Sequence, residues 1–523
     1  MKLTNPVLIS GIHLLIILLF LIIGFHAAIG DWGNYYYGST AFGEGLRTKI
    51  YDPVFFNNYV EAQGAHHFFL SYTQVPPISL LIYFPFTFLK AGIAKLVFTS
   101  LTYLFCAFSV TRLFKKVQLD LRWSLLLPVI FLLPLKSNVE LGQSYLLILA
   151  LLSEGWMAKE QKKYFVAGIC FALSIHLKIF PAIVLFWLLF EKDRKTLGAT
   201  LLAVVVLFIA SLPFIHWETW RMYVIEILPR LAKGEINNAY ATSYQSLQVL
   251  LKQLFVPDKL HNPNTWDDAP YLYTIGNITW RGIVLVIALL FTFDKKYSSL
   301  FRFSFWLLAG ILVSGYGSSY GLLQLIFLVI AIFSLKEIST FKKATLLVCI
   351  GIIANLPVHL FFDLSFPFNF PRLLILLCLL SLLVIILRPR WNSFSLFSLL
   401  FCAPLIFGSG TGNDSSEYVL KTEPSLLITD FCVRNDSLIY HFRDKNGLHE
   451  SGVAFNEKIE TAEELKNDAH TIYLERPWYF PDERIANPML INDKALIYLS
   501  DRGRGVGFYT IRKRKAEKNG ECY

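Results

Sequence analysis

Charged residues are scarce in this sequence. Lys, Arg, Asp and Glu make up 16% of the 523 residues, hydrophobic residues make up 55%, and the mean hydropathy is +0.50. Soluble domains carry about 25% charged residues, so this composition argues against a soluble globular protein. Apolar runs recur from residue 6 to residue 408 with short charged segments between them. Because a helix satisfies its own backbone hydrogen bonds in lipid, the sequence predicts an all-α polytopic membrane protein.

Nucleotide-binding and metal-binding motifs are also missing. The chain has neither a Gly-rich dinucleotide fingerprint nor a Walker loop. Asp267 and Asp268 are adjacent, whereas a metal–nucleotide site needs a spaced acidic pair. Five of the seven cysteines lie in apolar runs without the spacing of metal ligands. We therefore expect no cofactor and no bound metal, and neither ATP nor a nucleotide sugar as the direct substrate.

The net charge of +10 reflects membrane topology rather than nucleic-acid binding. Six basic clusters lie in short loops, at residues 112–116, 159–163, 192–195, 295–302, 336–343 and 388–390. Positive loops face the cytoplasm in multi-pass proteins, which leaves the longer polar loops outside. We expect a multi-pass protein of the plasma (inner) membrane, with the lipid bilayer as a partner and its active site on the extracytoplasmic, periplasmic side.

The apolar runs predict about 12–13 transmembrane helices, several of them shorter than the ~20 residues of a full span. Pro128 and Pro134 interrupt one of them and Pro181 interrupts another, and broken helices at membrane depth normally line a cavity. The proline-rich residues 75–89 are predicted to be re-entrant or to lie in the interface. The spans are expected near residues 6–29, 93–113, 124–139, 143–158, 164–177, 180–191, 197–215, 272–293, 303–318, 320–335, 344–362, 371–388 and 392–408.

The composition changes after residue 410. Strand-like runs at residues 425–433 and 437–442 are separated by Asn435-Asp436, and Lys445-Asn446-Gly447 follows the second run. Such turn signals between strand-like runs are typical of β-hairpins. We therefore divide the chain into a transmembrane domain, residues 1–410, and a small β-rich extracytoplasmic domain, residues 411–523.

Polar residues converge on two predicted outer loops, residues 31–74 and 216–270. Asp31 lies where the first helix leaves the membrane, so it is either an interface marker or a catalytic group. Lys178 lies between two short spans, so it either snorkels to the surface or binds a lipid-linked phosphate. Residues 237–247 are rich in amides and hydroxyls, which suit either a turn with a helix cap or a site for sugar hydroxyls.

Several motifs resemble one enzyme family. Asp31 precedes a tyrosine-rich stretch, Gly45 and Tyr51-Asp52, and Tyr72 precedes three prolines. This opening resembles that of glycosyltransferase family 87, whose members use polyprenyl-phosphate sugars and belong to the C-type (GT-C) superfamily. The segments Leu141-Gly142-Gln143-Ser144, Lys178-Ile179-Phe180-Pro181 and Ser243-Tyr244-Gln245-Ser246-Leu247 are similar to later family motifs. The resemblance spans roughly residues 10 to 335.

The resemblance implies that Asp31 is the catalytic residue. It also suggests a histidine near the start of a later span, where this chain has Tyr320. A lipid phosphate is already a good leaving group, so the reaction needs one base, a partner for the departing phosphate and groups that orient the sugar. We assign Lys178 and Tyr320 to the donor phosphate. The weaker candidates for binding the sugar or the acceptor are Gln143, Ser243, Gln245 and Tyr72.

These assignments predict an integral-membrane glycosyltransferase. It would move a sugar, mannose by family precedent, from polyprenyl phosphate to a glycolipid or glycan acceptor of the cell envelope, with inversion at the anomeric carbon. One alternative is a transporter or flippase of lipid-linked glycans, which more often shows paired repeats; the sequence has none. Another is a glycan polymerase or ligase, which shares the donor chemistry but uses an oligosaccharide.

Overall fold

The computed structural model describes most of the transmembrane part and the strands of the tail. The described residues are 6–27, 29–65, 70–72, 75–232, 240–258, 262, 265–336, 338–362, 364–389, 417–420, 427–434, 437–443, 449–455, 462–464, 485–491, 495–501 and 509–515.

The transmembrane part is built from helices, as the apolar runs predicted. Its α-helices are α1 (Pro6–His26), α2 (Trp32–Gly43), α3 (Pro53–Ala62), α4 (Ser79–Tyr83), α5 (Ala91–Lys116), α6 (Leu127–Ile130), α7 (Leu132–Leu141), α8 (Tyr145–Glu160), α9 (Tyr164–Leu177), α10 (Ile183–Phe190), α11 (Arg194–Ile215), α12 (Trp217–Met222), α13 (Leu228–Ala232), α14 (Leu247–Phe255), α15 (Pro270–Phe293), α16 (Ser299–Val313), α17 (Leu325–Ser334), α18 (Thr340–Asn355) and α19 (Pro371–Leu387). Short 3₁₀ turns at Lys49–Tyr51, Phe84–Phe88, Leu121–Leu126, Phe180–Ala182, Ser319–Gln324 and Val358–Phe361, and a π turn at Tyr223–Ile227, connect them.

Only some of these helices are long enough to cross a bilayer alone. Among the described residues, α5, α11 and α15 qualify by length and composition. The other apolar helices contribute apolar segments of 10–17 residues, with α1 contributing Gly11–His26, so the predicted number of full spans exceeds the number of long helices. The predicted segment 75–89 forms only α4 and the turn Phe84–Phe88, ten residues that are too short to span. The predicted span at 392–408 lies outside the described residues.

The predicted span at 124–139 is broken in the middle. Residues Leu121–Ile130 and Leu132–Leu141 meet at 70° around Phe131. Asn355 of α18 satisfies the exposed backbone there: its amide nitrogen donates to Ile130 O at 2.9 Å, and its oxygen accepts from Leu133 N at 3.0 Å. A helix can break at membrane depth only where protein groups replace the lost backbone hydrogen bonds, and Asn355 supplies them.

Burial separates the inner helices from those that face lipid. Helices α16 and α17 are buried along most of their length, and α9 packs between α8 and α11. By contrast, α1 and α11 expose large apolar side chains such as Leu15 (67%) and Leu202 (58%). An apolar surface of this extent is stable against lipid and unstable in water. The chain is therefore a multi-pass membrane protein.

The first polar loop folds into an ordered layer. Asp52 caps α3 by accepting hydrogen bonds from Val54 N (2.9 Å) and Phe55 N (3.3 Å). The buried Asn57 binds the returning chain, because its amide donates to Leu70 O and its oxygen accepts from Leu70 N, both at 2.8 Å. These hydrogen bonds satisfy backbone groups of Leu70 that are buried away from water, and so they hold this part of the loop in place.

The tail consists of two antiparallel sheets that share one core. Ile428 and Leu438 of one sheet pack with Ile497 and Ile511 of the other. The predicted hairpin is present, since β2 pairs with β3. The strands are β1 (Glu417–Tyr418), β2 (Leu427–Arg434), β3 (Ser437–Arg443), β4 (His449–Phe455), β5 (Ala462–Glu464), β6 (Ile485–Ile491), β7 (Ala495–Ser500) and β8 (Thr510–Lys515), in the orders β1-β8-β7-β6-β5 and β2-β3-β4.

The tail contacts both polar loops of the transmembrane part. Val54 of α3 packs against the core of the tail. Arg230 of α13 donates from Nη1 to Asp501 Oδ2 at 2.8 Å and from Nη2 to Asp501 O at 3.2 Å, and both side chains are buried. The tail therefore lies on the same side of the molecule as these two loops.

Candidate functional site

Asp31 lies in the turn between α1 and α2. Gly30 has φ +55°, which lets the chain reverse directly after the first helix. Asp31 stands at the N-cap position of α2, yet its side chain makes no capping hydrogen bond. Its carboxylate instead accepts a hydrogen bond from Gln143 Nε2 to Oδ2 at 2.5 Å. The Asp31 carboxylate is thus held by a residue from the turn between α7 and α8.

Gln143 reaches Asp31 because of the glycine before it. Gly142 ends α7 in the left-handed region, with φ +64°, and Gln143 N donates to Asn138 O at 2.9 Å. A Cβ on Gly142 would also lie 2.7 Å from Trp32 Cβ, so the position is closed to larger residues. Glycine therefore serves both the helix end and the close approach of Trp32. The turn delivers Gln143 to the site just before α8 begins.

Tyr35 completes a chain of hydrogen bonds to Asp31. Its hydroxyl donates to Gln143 Oε1 at 2.7 Å, which orients the amide so that Nε2 faces the carboxylate. The ring stacks on Tyr83 with centroids 4.5 Å apart. Tyr35 lies one helical turn after Asp31, so both side chains share a face of α2. Residues from α2 and the α7–α8 turn thereby fix the carboxylate.

Lys178 supplies the positive charge of this site. It follows α9 in extended conformation and is 8% exposed. Its Nζ lies 5.6 Å from the ring centroid of Tyr35 and 5.8 Å from that of Tyr145. Asp31 acts on it electrostatically. A buried ammonium beside two aromatic rings can bind an anion in surroundings of low polarity.

Tyr320 lies beside this cluster. Its ring centroid is 5.1 Å from that of Tyr145, and Asp31 acts on it electrostatically. Tyr145 in turn stacks on Phe180, with centroids 5.4 Å apart. The fold therefore brings three predicted residues from distant parts of the chain near Asp31: Gln143, Lys178 and Tyr320. Aromatic rings pack beside them.

The other three predicted residues take different places. Gln245 is buried and structural: its amide donates to Thr242 O (2.8 Å) and Asn369 O (3.0 Å), and its oxygen accepts from Arg372 N (3.1 Å). Ser243 is exposed in the adjoining turn. Tyr72 is fully buried, packs edge-on against Tyr51 and sits under Gly38. Their proposed roles in binding sugar or acceptor stay predictions, without the geometric support that Gln143 has.

Burial changes the acid–base properties of the two charged groups. It raises the pKa of Asp31 above its ordinary value, while the hydrogen bond from Gln143 and the charge of Lys178 oppose the rise. Burial also lowers the pKa of Lys178 to about 8, against the opposing effect of Asp31. A carboxylate with a raised pKa is a better base, and perturbed pairs of this kind are typical of active sites.

Sequence reasoning did not single out Tyr35, Tyr145 or Arg372. Helical spacing from Asp31 could have identified Tyr35, and the position directly after Gln143-Ser144 could have identified Tyr145. Arg372 is 1% exposed and holds the turn before Tyr320, since it donates to Gly317 O at 3.2 Å and Ser319 Oγ at 2.9 Å. No local pattern marks it, because Gly317 and Ser319 lie more than 50 residues away in the sequence.

The cluster offers one carboxylate, an amide, an ammonium and several phenols. Among the described residues, no group of three His, Cys, Asp or Glu side chains is placed to ligate a metal ion. The groups present can accept a proton at Asp31, neutralise an anion at Lys178 and stack an apolar face of a ligand on tyrosine rings.

Comparison with protein-family models gives a match to a glycosyltransferase family. The model for glycosyltransferase family 87 matches residues 72–315. A search of curated proteins found none that matches the chain. The matched segment includes Gln143 and Lys178, whereas Asp31 and Tyr320 lie outside it. The match covers a little under half of the chain and agrees with the family that the motifs resemble.

Proposed function

We propose a specific reaction from the premise that residues 72–315 belong to glycosyltransferase family 87 and that the chain is a membrane glycosyltransferase. The reaction is transfer of a sugar, mannose by family precedent, from a polyprenyl-phosphate carrier to an acceptor hydroxyl outside the membrane. The observation that carries the proposal is the juxtaposition of one buried carboxylate, Asp31, with one buried ammonium, Lys178.

Asp31 is the base in this mechanism. Within the described part of the chain, Gln143 is the hydrogen-bond donor to its side chain and uses Oδ2. Oδ1 therefore remains for the acceptor hydroxyl. The acceptor oxygen loses its proton to Oδ1 as it forms a bond to the anomeric carbon. General-base catalysis of this kind contributes about 10²–10⁴-fold in rate.

Lys178 stabilises the leaving group. The bond between the anomeric carbon and the phosphate oxygen breaks, and the phosphate departs with the electron pair. The ammonium of Lys178 neutralises the developing charge, and the faces of Tyr35 and Tyr145 exclude water around it. Direct displacement with one base inverts the anomeric carbon, in contrast to the carboxylate pair of a glycosidase.

The test is transfer of radiolabel from polyprenyl-phosphate mannose to the lipid and protein fractions of membranes. Asp31→Asn should abolish transfer. Asp52→Asn is the matched control: it makes the same chemical change in the same loop, and asparagine still caps α3. Full transfer by Asp31→Asn would disprove the base assignment. Label absent from wild type as well would reject mannose and direct the assay to other polyprenyl-phosphate sugars.

A further inference from the structure

Lys95 is a second buried lysine close to the site. It lies in the second turn of α5 and is 4% exposed. Its Nζ lies 3.5 Å from Ala27 O, near the end of α1. The space where a Cβ on Gly142 would lie is 3.3 Å from Lys95 Cγ and 2.7 Å from Trp32 Cβ. Lys95 thus lies beside Gly142 and Trp32. Their neighbours in the sequence, Gln143 and Asp31, form the site.

The surroundings of Lys95 form a small cleft between α1, α5 and α7. Phe25, Lys95, Thr99 and Val139 line it. Thr99 is 4% exposed, and its Oγ1 is buried without a hydrogen-bond partner among the described residues. Phe25 is 57% exposed on the apolar outer surface of α1. The cleft therefore combines a cation and an unsatisfied hydroxyl with an opening toward lipid.

The depth of the cleft matches the headgroup region. Helix α5 begins at Ala91, so Lys95 lies about 6 Å along the axis from its first residue. Trp32 Nε1 donates to Ala91 O at 3.0 Å and fixes this end of α5 to the turn that carries Asp31. A lysine near the end of a spanning helix is typical of the level where lipid headgroups lie.

We propose that this cleft binds the phosphate of a lipid headgroup. Lys95 supplies the positive charge, and the Thr99 hydroxyl donates a hydrogen bond to a phosphate oxygen. Lysine binds phosphate mainly as a point charge, so its ammonium can attract a phosphate while it keeps its contact with Ala27 O. Glu140 also acts on Lys95 electrostatically, but its carboxylate lies 3.6 Å from Lys136 Nζ, which offsets part of its negative charge.

The site is separate from the cation of the proposed reaction. Lys178 follows α9 and packs against the rings of Tyr35 and Tyr145, whereas Lys95 lies in α5 beside the layer that contains Trp32. A lipid phosphate at Lys95 would place its headgroup next to the turn that holds Asp31. The lipid can be the polyprenyl phosphate carrier or a phospholipid, and the experiment separates these two sources.

The experiment measures lipid binding by the full chain in nanodiscs of neutral phosphatidylcholine. Phosphatidylglycerol, polyprenyl phosphate and inorganic phosphate are titrated separately, and bound lipid is counted by native mass spectrometry. Lys95→Met should weaken binding about tenfold or more, as expected for loss of a hydrogen bond to a charged group. Lys95→Arg should restore much of the affinity. Lys90→Met is the matched control, since Lys90 is exposed just before α5.

The outcomes are distinct. Tighter binding of polyprenyl phosphate than of phosphatidylglycerol assigns the cleft to the carrier, and the reverse assigns it to a phospholipid. Equal binding by wild type and Lys95→Met, with only the thermal stability lowered, would overturn the proposal and leave Lys95 as an anchor for the end of α1. Displacement of both lipids by inorganic phosphate would overturn the lipid assignment. Should Lys95→Met fail to fold, the near-isosteric Thr99→Val must still weaken binding, or the proposal is wrong.

Discussion

Replacing Gln143 with leucine would test how the site controls its base. Gln143 Nε2 donates to Asp31 Oδ2, and this bond favours the ionised carboxylate. A hydrogen bond to a charged group contributes about 1.5–3 kcal/mol, which corresponds to about a 10- to 150-fold change in the protonation equilibrium. Leucine has a similar size and no donor. The pKa of Asp31 should therefore rise in Gln143→Leu.

The assay is the pH dependence of kcat/KM for transfer from a polyprenyl-phosphate sugar. A base must be deprotonated to act, so a higher pKa moves the loss of activity on the acid side to higher pH. The ratio of wild-type to variant activity should be about 10- to 150-fold larger below this transition than above it. Tyr35→Phe is the control: it removes the hydroxyl that orients Gln143 but leaves the bond to Asp31, so its profile should change less.

Either of two results would refute this reasoning. If Gln143→Leu lost activity equally at every pH, with the acid transition unmoved, Gln143 would position the substrate and would not tune Asp31. A residual activity of Asp31→Asn with the same acid transition would show that a different group titrates.

Two further predictions concern Lys178 and the tail. Because burial lowers the pKa of Lys178 to about 8, wild-type kcat/KM should fall as pH rises through about 8; Lys178→Arg, which stays protonated, should lack that alkaline loss. Arg230→Ala removes the buried cation that binds Asp501 and should weaken tail docking by about 3–5 kcal/mol, seen as faster hydrogen exchange in β7. Arg122→Ala, which removes an exposed arginine, should leave hydrogen exchange in β7 unchanged. Equal exchange rates of β7 in the two variants would contradict a stabilising role for the buried Arg230–Asp501 pair.

The positions of the longer apolar helices, and the β-rich character of the tail, could be predicted from the sequence. A membrane segment must satisfy its backbone locally, so an apolar run indicates a helix whatever surrounds it. The predicted span at 272–293 corresponds to α15, Pro270–Phe293, and that at 371–388 to α19, Pro371–Leu387. The β2–β3 hairpin likewise follows from its local turn signal and alternating residues. These features depend on neighbours along the chain.

The composition of the site depended on tertiary structure. Asp31 and Gln143 are 112 residues apart, and their hydrogen bond exists because Gly142 ends α7 beside Trp32. The amide of Gln245 looks equally suited to a sugar in the sequence, but the fold uses it to hold Arg372 and Asn369. The break at Phe131 depends on Asn355 from a helix more than 200 residues later. Residue type states what chemistry is available; only long-range packing decides whether a polar group faces a ligand or the protein's own backbone.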